Sequence, residues 1–462
     1  MNIEDLKKKT VLVLGAGRTG IASANFLLDK AKKVLLSESK EQTSELQHKI
    51  QNLTLQGVEI EFKKNSDGFI NKADLVIISP GISPHSDIVK KINLLKTEII
   101  SDIELAKSFT KIPIIAVTGT NGKTTTTSLI THLINNSGKK AVSCGNIGKP
   151  LIEIINENKN APDYYVLEIS SFQIYYSPTL SCKIAVCLNI TPDHLDWHGD
   201  FNHYFQTKEK LFLQQDKDSW AILNYNDDLL RNIKTISNKF YFSSSLSDKA
   251  AINPFSHFAY LEDEYLRVKE GNKNYQIINK NELRILGSHN IENALASIAV
   301  SKIINLNNND LQLGLKSFEG VEHRLEYARS FKGKDFYNDS KATNPEATVK
   351  AIEALGQKTG KKITLILGGR DKKTNLNEML NAIKKHISEV ILFGEAKERF
   401  KQELDKNNYK EVTIVNDLNE AVALSLKSKT DIVLFSPACA SFDMFKNYEE
   451  RGKIFKELVF RF

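Results

Sequence analysis

The residues best suited to chemistry lie in a stretch that reads IIAVTGTNGKTTTT, from position 114 to position 127. Residues 114–117 predict a buried strand, residues 119–122 a tight loop, and Lys123 the start of a helix. In this layout backbone N–H groups converge on anionic oxygens at the positive end of the helix dipole. Lys123 adds a cation, and Thr124 adds a hydroxyl for Mg²⁺. The stretch predicts a site for the phosphates of ATP. A plain turn is the alternative, because the first glycine of the commonest phosphate loop is missing.

Two later apolar strands end in polar residues. The first ends at Glu168, and an acid at a strand end in a phosphate-loop domain is the usual Mg²⁺ partner. Residues 184–188 predict the second strand, which delivers His194 to the same edge. His194 and His198 lie four apart, but the glutamate of a zinc hydrolase helix is replaced by Leu195, which argues against zinc hydrolysis. His194 is predicted to contact a metal or an anionic substrate, with a structural turn-capping role as the alternative.

A second glycine-rich turn lies near the beginning of the chain. Residues 10–20, TVLVLGAGRTG, combine an apolar strand with G-x-G-x-x-G spacing, and a second strand ends near Glu38. This is a dinucleotide fingerprint, so an NAD-dependent dehydrogenase is one hypothesis. The pyrophosphate of a UDP-sugar would fit the same turn, and no hydride-transfer site follows. Residues 79–82 end another strand beside this turn, where open α/β sheets bind ligands.

Two helices carry polar residues of interest. Residues 204–212 predict a helix with Lys208 and Lys210, which as helix lysines are expected to be solvated. A later apolar helix carries Asn290 and Asn293 on one face, where they need a ligand or backbone partner, with capping by Asn290 as the alternative. Between the two helices, residues 243–275 predict irregular surface hairpins.

The last third of the sequence predicts a further α/β sheet, because apolar strands alternate with helical segments. Polar clusters follow these apolar runs, where loops commonly carry function. The clusters are VEHR (321–324), NDSKATN (338–344), GGRDKK (368–373) and SPACASFDMFKNY (436–448).

The composition is that of an ordinary globular protein of about three domains, with 462 residues of which 41% are hydrophobic. The 63 basic and 56 acidic side chains are interspersed, so the net charge of +7 does not indicate nucleic-acid binding. The four cysteines fit neither a zinc site nor a disulfide framework. No signal peptide and no apolar run of membrane-spanning length occurs in the sequence, so a cytoplasmic protein without membrane insertion is expected.

Taken together and in order, these motifs resemble the Mur ligases, ATP-dependent amide-forming enzymes that build the peptide of bacterial cell-wall precursors. TGTNGKTTTT, LEISSFQ, NITPDHLDWHG and GSHNIENALA are similar to the central ATPase domain of that family. NDSKATN and SPACASFDMFKNYEERG resemble the member that adds D-glutamate to UDP-N-acetylmuramoyl-L-alanine. The resemblance implies that this reaction proceeds through an acyl phosphate.

The resemblance also implies an α/β fold of three domains. Residues 1–100 would form a Rossmann-like UDP-binding domain, and residues 101–305 a central P-loop ATPase-like domain with a mostly parallel sheet. Residues 306–462 would form a Rossmann-like domain that binds D-glutamate and closes on ATP. Implied ligands are ATP, Mg²⁺ at two sites, UDP-N-acetylmuramoyl-L-alanine and D-glutamate, in a monomer that binds no nucleic acid.

Site residues follow from the resemblance position by position. The catalytic residues implied are Lys123, His194 and Lys208, and Lys208 matches a lysine that the family carbamylates to bind a second Mg²⁺. The implied metal ligands are Thr124, Glu168, His194 and Lys208. The implied ATP contacts are Gly119, Thr120, Asn121, Gly122, Lys123, Thr124, Thr125, Asn290, Asn293, Arg324 and Asp339. The implied D-glutamate contacts are Lys341, Thr343, Lys372, Ser441 and Phe442. The implied UDP-substrate contacts are Arg18, Thr19, Ser79, Pro80, Gly81 and Asn146.

Two positions depart from the family pattern. The arginine that some members place against uracil corresponds to Ser37 or Ser39, and a C-terminal phenylalanine corresponds to Tyr448. Three alternatives remain open: another Mur enzyme or folylpolyglutamate synthetase, a dehydrogenase, and a non-catalytic nucleotide-binding module. The presence of Glu168 and His194 beside Lys123 argues against the last.

Overall fold

The computed structural model describes residues 2–42, 44–157, 161–246, 252–285, 287–359, 362–371 and 373–461. These residues form three sheets with intervening helices, which confirms the three-domain α/β class predicted from the sequence. Lys372, a predicted D-glutamate contact, lies outside the described residues.

The first sheet has five parallel strands. Its strands are β1 (Thr10–Leu14), β2 (Lys33–Glu38), β3 (Glu59–Phe62), β4 (Leu75–Ile78) and β5 (Glu98–Ile100), in the order β3-β2-β1-β4-β5. Its helices are α1 (Ile3–Leu6), α2 (Arg18–Leu27), α3 (Ser44–Leu55), α4 (Asp67–Ile70), α5 (Asp87–Leu94) and α6 (Asp102–Lys107). Every residue of β1 and β4 is buried, as expected of parallel strands covered on both faces. The loops after these paired strands therefore lie side by side.

The central sheet has nine strands and carries the phosphate loop. Its strands are β6 (Ile114–Thr118), β7 (Ala141–Gly145), β8 (Tyr164–Glu168), β9 (Ile184–Cys187), β10 (Trp220–Asn224), β11 (Asn238–Ser243), β12 (His257–Glu262), β13 (Tyr265–Glu270) and β14 (Lys273–Asn279). Their order is β14-β13-β12-β11-β10-β9-β6-β8-β7, parallel from β7 to β12 and antiparallel beyond. The helices are α7 (Lys123–Asn136), α8 (Leu151–Glu157), α9 (Ser171–Tyr175), α10 (Leu195–His198), α11 (Phe201–Leu213), α12 (Asp228–Arg231), α13 (Ser288–Ile303) and α14 (Asn308–Ser317).

The third sheet has six strands. They are β15 (Glu326–Phe331), β16 (Lys334–Asn338), β17 (Ile363–Gly368), β18 (Ile387–Phe393), β19 (Val412–Ile414) and β20 (Ile432–Phe435), in the order β15-β16-β20-β17-β18-β19. Only the β15–β16 pair is antiparallel among these described strands. The helices are α15 (Pro345–Thr359), α16 (Asn377–His386), α17 (Lys397–Lys406), α18 (Leu418–Ser425) and α19 (Tyr448–Arg461).

The chain divides into two compact units. One runs to Lys280 and includes Glu292–Leu315, and the other comprises Asn281–Ile291 and Lys316–Phe462. The first two sheets belong to one unit, where the Trp197 ring joins a buried cluster with Leu12 and Leu35 of the first sheet. The domain boundaries at 100/101 and 305/306 stay predictions.

The prediction of hairpins for residues 243–275 is confirmed by the antiparallel pairs β12–β13 and β13–β14, but their expected irregular, surface character is wrong. Strand β12 pairs in parallel with β11 and buries Phe258, Ala259 and Tyr260, so the hairpins extend the central sheet. Polar residues on the exposed face hid this pattern in the sequence. Residues 247–251 lie outside the described part of the chain.

Other sequence expectations concern the cysteines and the membrane. All four cysteines are free and buried. Within the described residues, no helix combines the length and apolarity needed to cross a membrane.

Candidate active site

The phosphate loop connects β6 to α7, as the sequence predicts. Gly122 lies in the left-handed region with φ +86°, and a side chain there would collide with Asn293 Oδ1. A glycine is therefore required at the point where the loop turns into the helix. The N-cap residue Gly122 makes no side-chain hydrogen bond to the start of α7, as suits a helix end that would bind an anion.

Neighbouring strands fix the shape of the loop. Asn189, which follows β9, accepts the Asn121 N–H with its Oδ1 at 2.9 Å and the Thr120 N–H with its carbonyl at 2.9 Å. Lys123 Nζ donates to the carbonyls of Gly119 and Thr120, at 2.9 and 2.8 Å. The ammonium group thus lies within the loop that would surround the phosphates.

Glu168 ends β8, directly beside β6, where it pairs with Val117. Its side chain is only 2% exposed, and Oε1 accepts the Asn146 Nδ2–H at 2.7 Å. Oε2 is buried without a hydrogen-bond partner among the described residues. Because an ionised carboxylate oxygen rarely stays unpartnered in a protein interior, this atom indicates a missing ligand.

Lys208 is the clearest correction to sequence-only reasoning, which expected a solvated lysine. Its side chain is 2% exposed, and Nζ donates to Thr118 Oγ1 at 3.1 Å and to the Gly119 carbonyl at 3.2 Å. Burial, followed by the charge of Lys123, lowers the pKa of the Lys208 amine to about 7. Lys210, by contrast, is exposed as predicted.

Replacing Lys208 by methionine should stabilise the protein near neutral pH. The pKa of this amine is lower in the folded chain than in the unfolded one, so the unfolded state binds more protons between about pH 7 and pH 10.5. Stability therefore rises with pH across this window, and K208M removes that dependence. We expect a gain on the order of 2 kcal/mol at pH 7.5 that shrinks by pH 10.

Thermal unfolding in metal-free, CO₂-free buffer at both pH values tests this expectation. K210M, on the same helix at an exposed position, is the matched control and should change little. A K208M protein that melts below the wild type at pH 7.5 would contradict the assignment of a buried amine.

His194 and His198 have different environments. His194 adopts φ +53°, its side chain is half exposed, and Nε2 lies 3.4 Å from Asp193 Oδ2. His198 is buried, with Nε2 2.9 Å from Ser171 Oγ and Nδ1 3.0 Å from the Nδ1 of His203. Burial, followed by the charges of neighbouring groups such as His203, lowers the pKa of His198 to about 4. The two histidines therefore lie in different surroundings, and the sequence argument against zinc hydrolysis stays a prediction.

In the first sheet, the glycine-rich turn and the loop after β4 lie together. Gly15 has φ +95°, and a side chain there would collide with Ser79 Oγ. This hydroxyl is buried and has no hydrogen-bond partner among the described residues. Predicted substrate contacts Arg18 and Thr19 begin α2 beside the turn, so they and Ser79 to Gly81 lie at one sheet edge. Asn146, the remaining predicted contact of the UDP-linked substrate, instead donates to Glu168 of the central sheet.

Glu38 accepts hydrogen bonds from the turn itself. Its Oε2 accepts the Ala16 N–H at 2.8 Å and its Oε1 accepts the Lys40 N–H at 3.0 Å. Burial opposes ionisation, but these backbone bonds lower the pKa of Glu38. Ser37, one of the two candidates for the missing arginine position, is buried and bonded to Glu61 Oε1 at 2.8 Å. Ser39, the other candidate, is exposed.

The two asparagines of α13 belong to different compact units. Asn293 Oδ1 accepts the Thr126 Oγ1–H at 3.1 Å, so it fastens α7 just after the phosphate loop. Asn290 is buried and falls in the unit of the third sheet. The partner of Asn293 is thus a side chain, whereas the sequence argument expected a ligand or a backbone group.

In the third sheet, the predicted ATP contacts Arg324 and Asp339 are linked through the backbone. Arg324 is exposed, whereas Asp339 is buried and accepts the Leu325 N–H at 3.0 Å and the Ser436 Oγ–H at 2.7 Å. Burial raises the pKa of Asp339 to about 6. Asp339 thus holds the residue next to Arg324.

The predicted D-glutamate contacts lie on loops at the carboxyl ends of β16 and β20. Lys341 and Thr343 follow β16, and Ser441 and Phe442 follow β20. Ser441 is buried, whereas the Phe442 ring is 63% exposed. The two loops are adjacent because their strands pair in parallel.

Sequence reasoning missed Tyr204 as a member of the site. Its hydroxyl lies 3.0 Å from Thr120 Oγ1, and its ring lies 4.9 Å from Lys208 Nζ. The available signal was its position four residues before Lys208, which places both side chains on one face of α11.

Comparison with known proteins supplies the class to which this fold and site belong. The sequence matches the models "Mur ligase MurD-like, N-terminal domain" over residues 9–101, "Mur ligase middle domain" over 117–301 and "Mur ligase, glutamate ligase domain" over 323–439. The chain belongs to the Mur ligase family.

Relatives within the family match over nearly the whole length. The chain is 40% identical to the UDP-N-acetylmuramoylalanine--D-glutamate ligase of Caldanaerobacter subterraneus subsp. tengcongensis, covering 98% of this chain and 99% of that protein. It is 39% identical to the protein of the same name from Thermoanaerobacter pseudethanolicus, with the same coverage.

Solved structures agree on the fold. MurC of Thermotoga maritima aligns with a TM-score of 0.57 at 20% identity, covering 98% of this chain and 99% of that chain. MurF of Acinetobacter baumannii aligns with a TM-score of 0.62 at 14% identity, covering 96% and 93%. These likenesses concern the fold alone.

Proposed function

We propose that this chain is an ATP-dependent ligase that joins D-glutamate to UDP-N-acetylmuramoyl-L-alanine in peptidoglycan precursor synthesis. The observation that carries the proposal is the edge of the central sheet, where the phosphate loop, the open oxygen of Glu168 and the buried amine of Lys208 adjoin. Relatives that bear this activity in their name, at 39–40% identity over the full length, supply the substrates. A cytoplasmic monomer is part of the proposal.

ATP is proposed to bind with its phosphates in the loop between β6 and α7. Its oxygens would receive N–H groups of the loop and of the first turn of α7, and the Lys123 ammonium. Arg324 is proposed as a further contact of ATP. The N–H of the next residue, Leu325, donates to Asp339, and this hydrogen bond supports the orientation of Arg324. Asn290 and Asn293 stay predicted neighbours of the nucleotide.

The residues at this edge fit a divalent cation. Glu168 offers a buried carboxylate oxygen without a partner among the described residues, and Thr124 lies in the first turn of α7, at the end of the phosphate loop. No group of three or more His, Cys, Asp and Glu that could hold a metal occurs in the described chain. Mg²⁺ suits such a site because it usually binds through one or two carboxylates, substrate phosphates and water. When bound, it would neutralise charge on the transferring phosphoryl group. His194 and a carbamylated Lys208 are proposed as further ligands, which gives two sites.

The proposed reaction has two steps. A carboxylate oxygen of UDP-N-acetylmuramoyl-L-alanine attacks the γ-phosphorus of ATP, and ADP leaves, which yields an acyl phosphate. The neutral amine of D-glutamate then attacks the acyl carbon, the C–N bond forms and phosphate leaves. The nitrogen loses one proton in this step, and the half-exposed His194 is our candidate acceptor.

Replacing Ser79 by alanine should weaken binding of the UDP-linked substrate without destabilising the protein. The Ser79 hydroxyl has no hydrogen-bond partner among the described residues, so its removal breaks no bond in the free enzyme. A bond to the substrate would be lost, so KM for that substrate should rise roughly tenfold, with kcat and KM for ATP nearly unchanged.

Steady-state kinetics and a melting curve check this prediction. S86A is the control, because Ser86 Oγ lies in the same segment but donates to the Ser83 carbonyl at 2.7 Å. An unchanged KM in S79A would remove Ser79 from the substrate site.

Phosphate release from ATP tests the proposed function. Purified enzyme is given UDP-N-acetylmuramoyl-L-alanine, Mg²⁺ and, in separate reactions, D-glutamate, L-glutamate, L-lysine, meso-diaminopimelate or no amino acid. Turnover that requires D-glutamate supports the proposal. Turnover with another amino acid would reassign the enzyme to a different reaction of the family.

A further inference from the structure

The largest fully buried side chain of the described residues belongs to Arg451. Arg451 lies one turn into α19, and its guanidinium is 0% exposed. Burial lowers its pKa to about 10, so the group stays charged at neutral pH. Holding a cation in the interior is costly, which raises the question of what this one does.

The guanidinium binds two loops of the third sheet at once. Nε donates to Ser340 Oγ at 3.0 Å and an Nη to the Ser340 carbonyl at 2.7 Å, while the other Nη donates to the Cys439 carbonyl at 3.0 Å. These three partners, all neutral oxygens, are those found among the described residues. Ser340 Oγ also donates to the Tyr448 carbonyl at 2.8 Å, which ties the first loop to the start of α19.

A third loop packs against the same group. A side chain at Gly369 would collide with the Ala440 carbonyl and lie 3.0 Å from an Nη of Arg451, so Gly369 packs closely against both. The next residue, Arg370, donates its N–H to the Ala440 carbonyl at 2.8 Å. The guanidinium therefore lies where residues 339–344, 369–371 and 436–447 meet, and these segments are called the three glutamate loops below.

We propose that Arg451 is a positioning residue that holds the three glutamate loops in one arrangement and thereby sets the affinity for the amino-acid substrate. The inference rests on the proposed function, in which Lys341, Thr343 and Ser441 on these loops contact D-glutamate. Lys341 immediately follows Ser340, and Ser441 comes two residues after Cys439. The planar fork of Arg451 thus binds residues that lie one position before Lys341, three before Thr343 and two before Ser441.

Lysine cannot replace this function, although it keeps the charge. An ammonium is a point charge on a shorter chain and cannot span Ser340 and Cys439 in the fixed geometry of a guanidinium. R451K should therefore raise KM for D-glutamate at least tenfold, while kcat stays within threefold. KM for ATP and for the UDP-linked substrate should stay within twofold.

Kinetics of four proteins test the inference: wild type, R451K, S340A and L458A. S340A removes one acceptor and should raise KM for D-glutamate severalfold, which keeps the test available if R451K folds poorly. L458A is the matched control, because Leu458 is buried on the same helix in the apolar cluster. It should lower Tm without changing KM for D-glutamate.

The outcomes separate the two claims. A wild type that does not use D-glutamate would overturn the proposed function, and this inference with it. The inference alone would be overturned if the wild type uses D-glutamate but R451K and S340A keep its KM for D-glutamate. This holds also if the two variants show a lowered Tm, as L458A does. A selective rise in KM for D-glutamate in R451K and S340A would support it.

Discussion

Replacing Lys123 by alanine is expected to lower kcat about a thousandfold with the fold intact. The Lys123 ammonium lies inside the phosphate loop, 2.8–2.9 Å from two of its carbonyls, where it would meet the transferring phosphoryl group. Removing one preorganised charge or donor of this kind costs on the order of 10²–10³ in rate, or about 3–4 kcal/mol. The fold should persist, because the loop is also fastened by Asn189 and by the Thr126–Asn293 bond.

Phosphate-release assays and a melting curve of K123A measure these effects. K217A is the control, since Lys217 is exposed on the same unit. A K123A enzyme that keeps more than a tenth of the wild-type rate would remove Lys123 from the chemistry. A K123A protein that loses its thermal transition would instead assign Lys123 to the fold.

The second large effect concerns Lys208 and carbon dioxide. CO₂ reacts with a neutral amine, and a pKa of about 7 leaves about half of the Lys208 side chains neutral at pH 7. That fraction is on the order of a thousandfold larger than for an ordinary lysine. The resulting carbamate would turn a cation into a carboxylate beside the phosphate loop, where it could act as the proposed second metal ligand. An arginine side chain cannot form this carbamate, so K208R should lose activity about a thousandfold.

Removal of CO₂ gives a reversible version of the same experiment. Wild-type activity should fall in degassed, CO₂-scrubbed buffer and return when bicarbonate is added. ¹³C-labelled bicarbonate should produce a carbamate resonance in the wild type that is absent from K208R. The control K210R should retain both the activity and the resonance. Activity that is indifferent to CO₂, without a resonance, would exclude the modification.

The parts of the fold that could be predicted from the sequence are those with local signals. The strand, loop and helix around Lys123 depend on a few adjacent glycines and apolar residues, and the structure confirms them. Glu168 could be placed at a strand end for the same reason. The hairpins β12–β14 could be predicted as hairpins, but their place in the central sheet could not, because this pairing depends on partners outside the segment.

Side-chain burial was the main property that local reasoning could not predict. Lys208 has the helical setting of a solvated lysine, but in the fold its side chain is buried against Thr118 of β6 and Gly119 of the phosphate loop. The family resemblance alone marked it as functional. Arg451 contacts Ser340 across 111 residues of sequence, so no local pattern indicates that the two meet. For Tyr204, the spacing of four residues from Lys208 was enough to predict that the two side chains share one face of the helix.

The most direct test of the account follows one oxygen atom. Enzyme, ATP, Mg²⁺ and D-glutamate are incubated with UDP-N-acetylmuramoyl-L-alanine whose alanine carboxylate is labelled with ¹⁸O. The account predicts one ¹⁸O in the released phosphate and a product heavier by one glutamyl residue, because an acyl phosphate transfers a carboxylate oxygen to phosphorus. Unlabelled phosphate, or phosphate released without a D-glutamate-containing product, would contradict it.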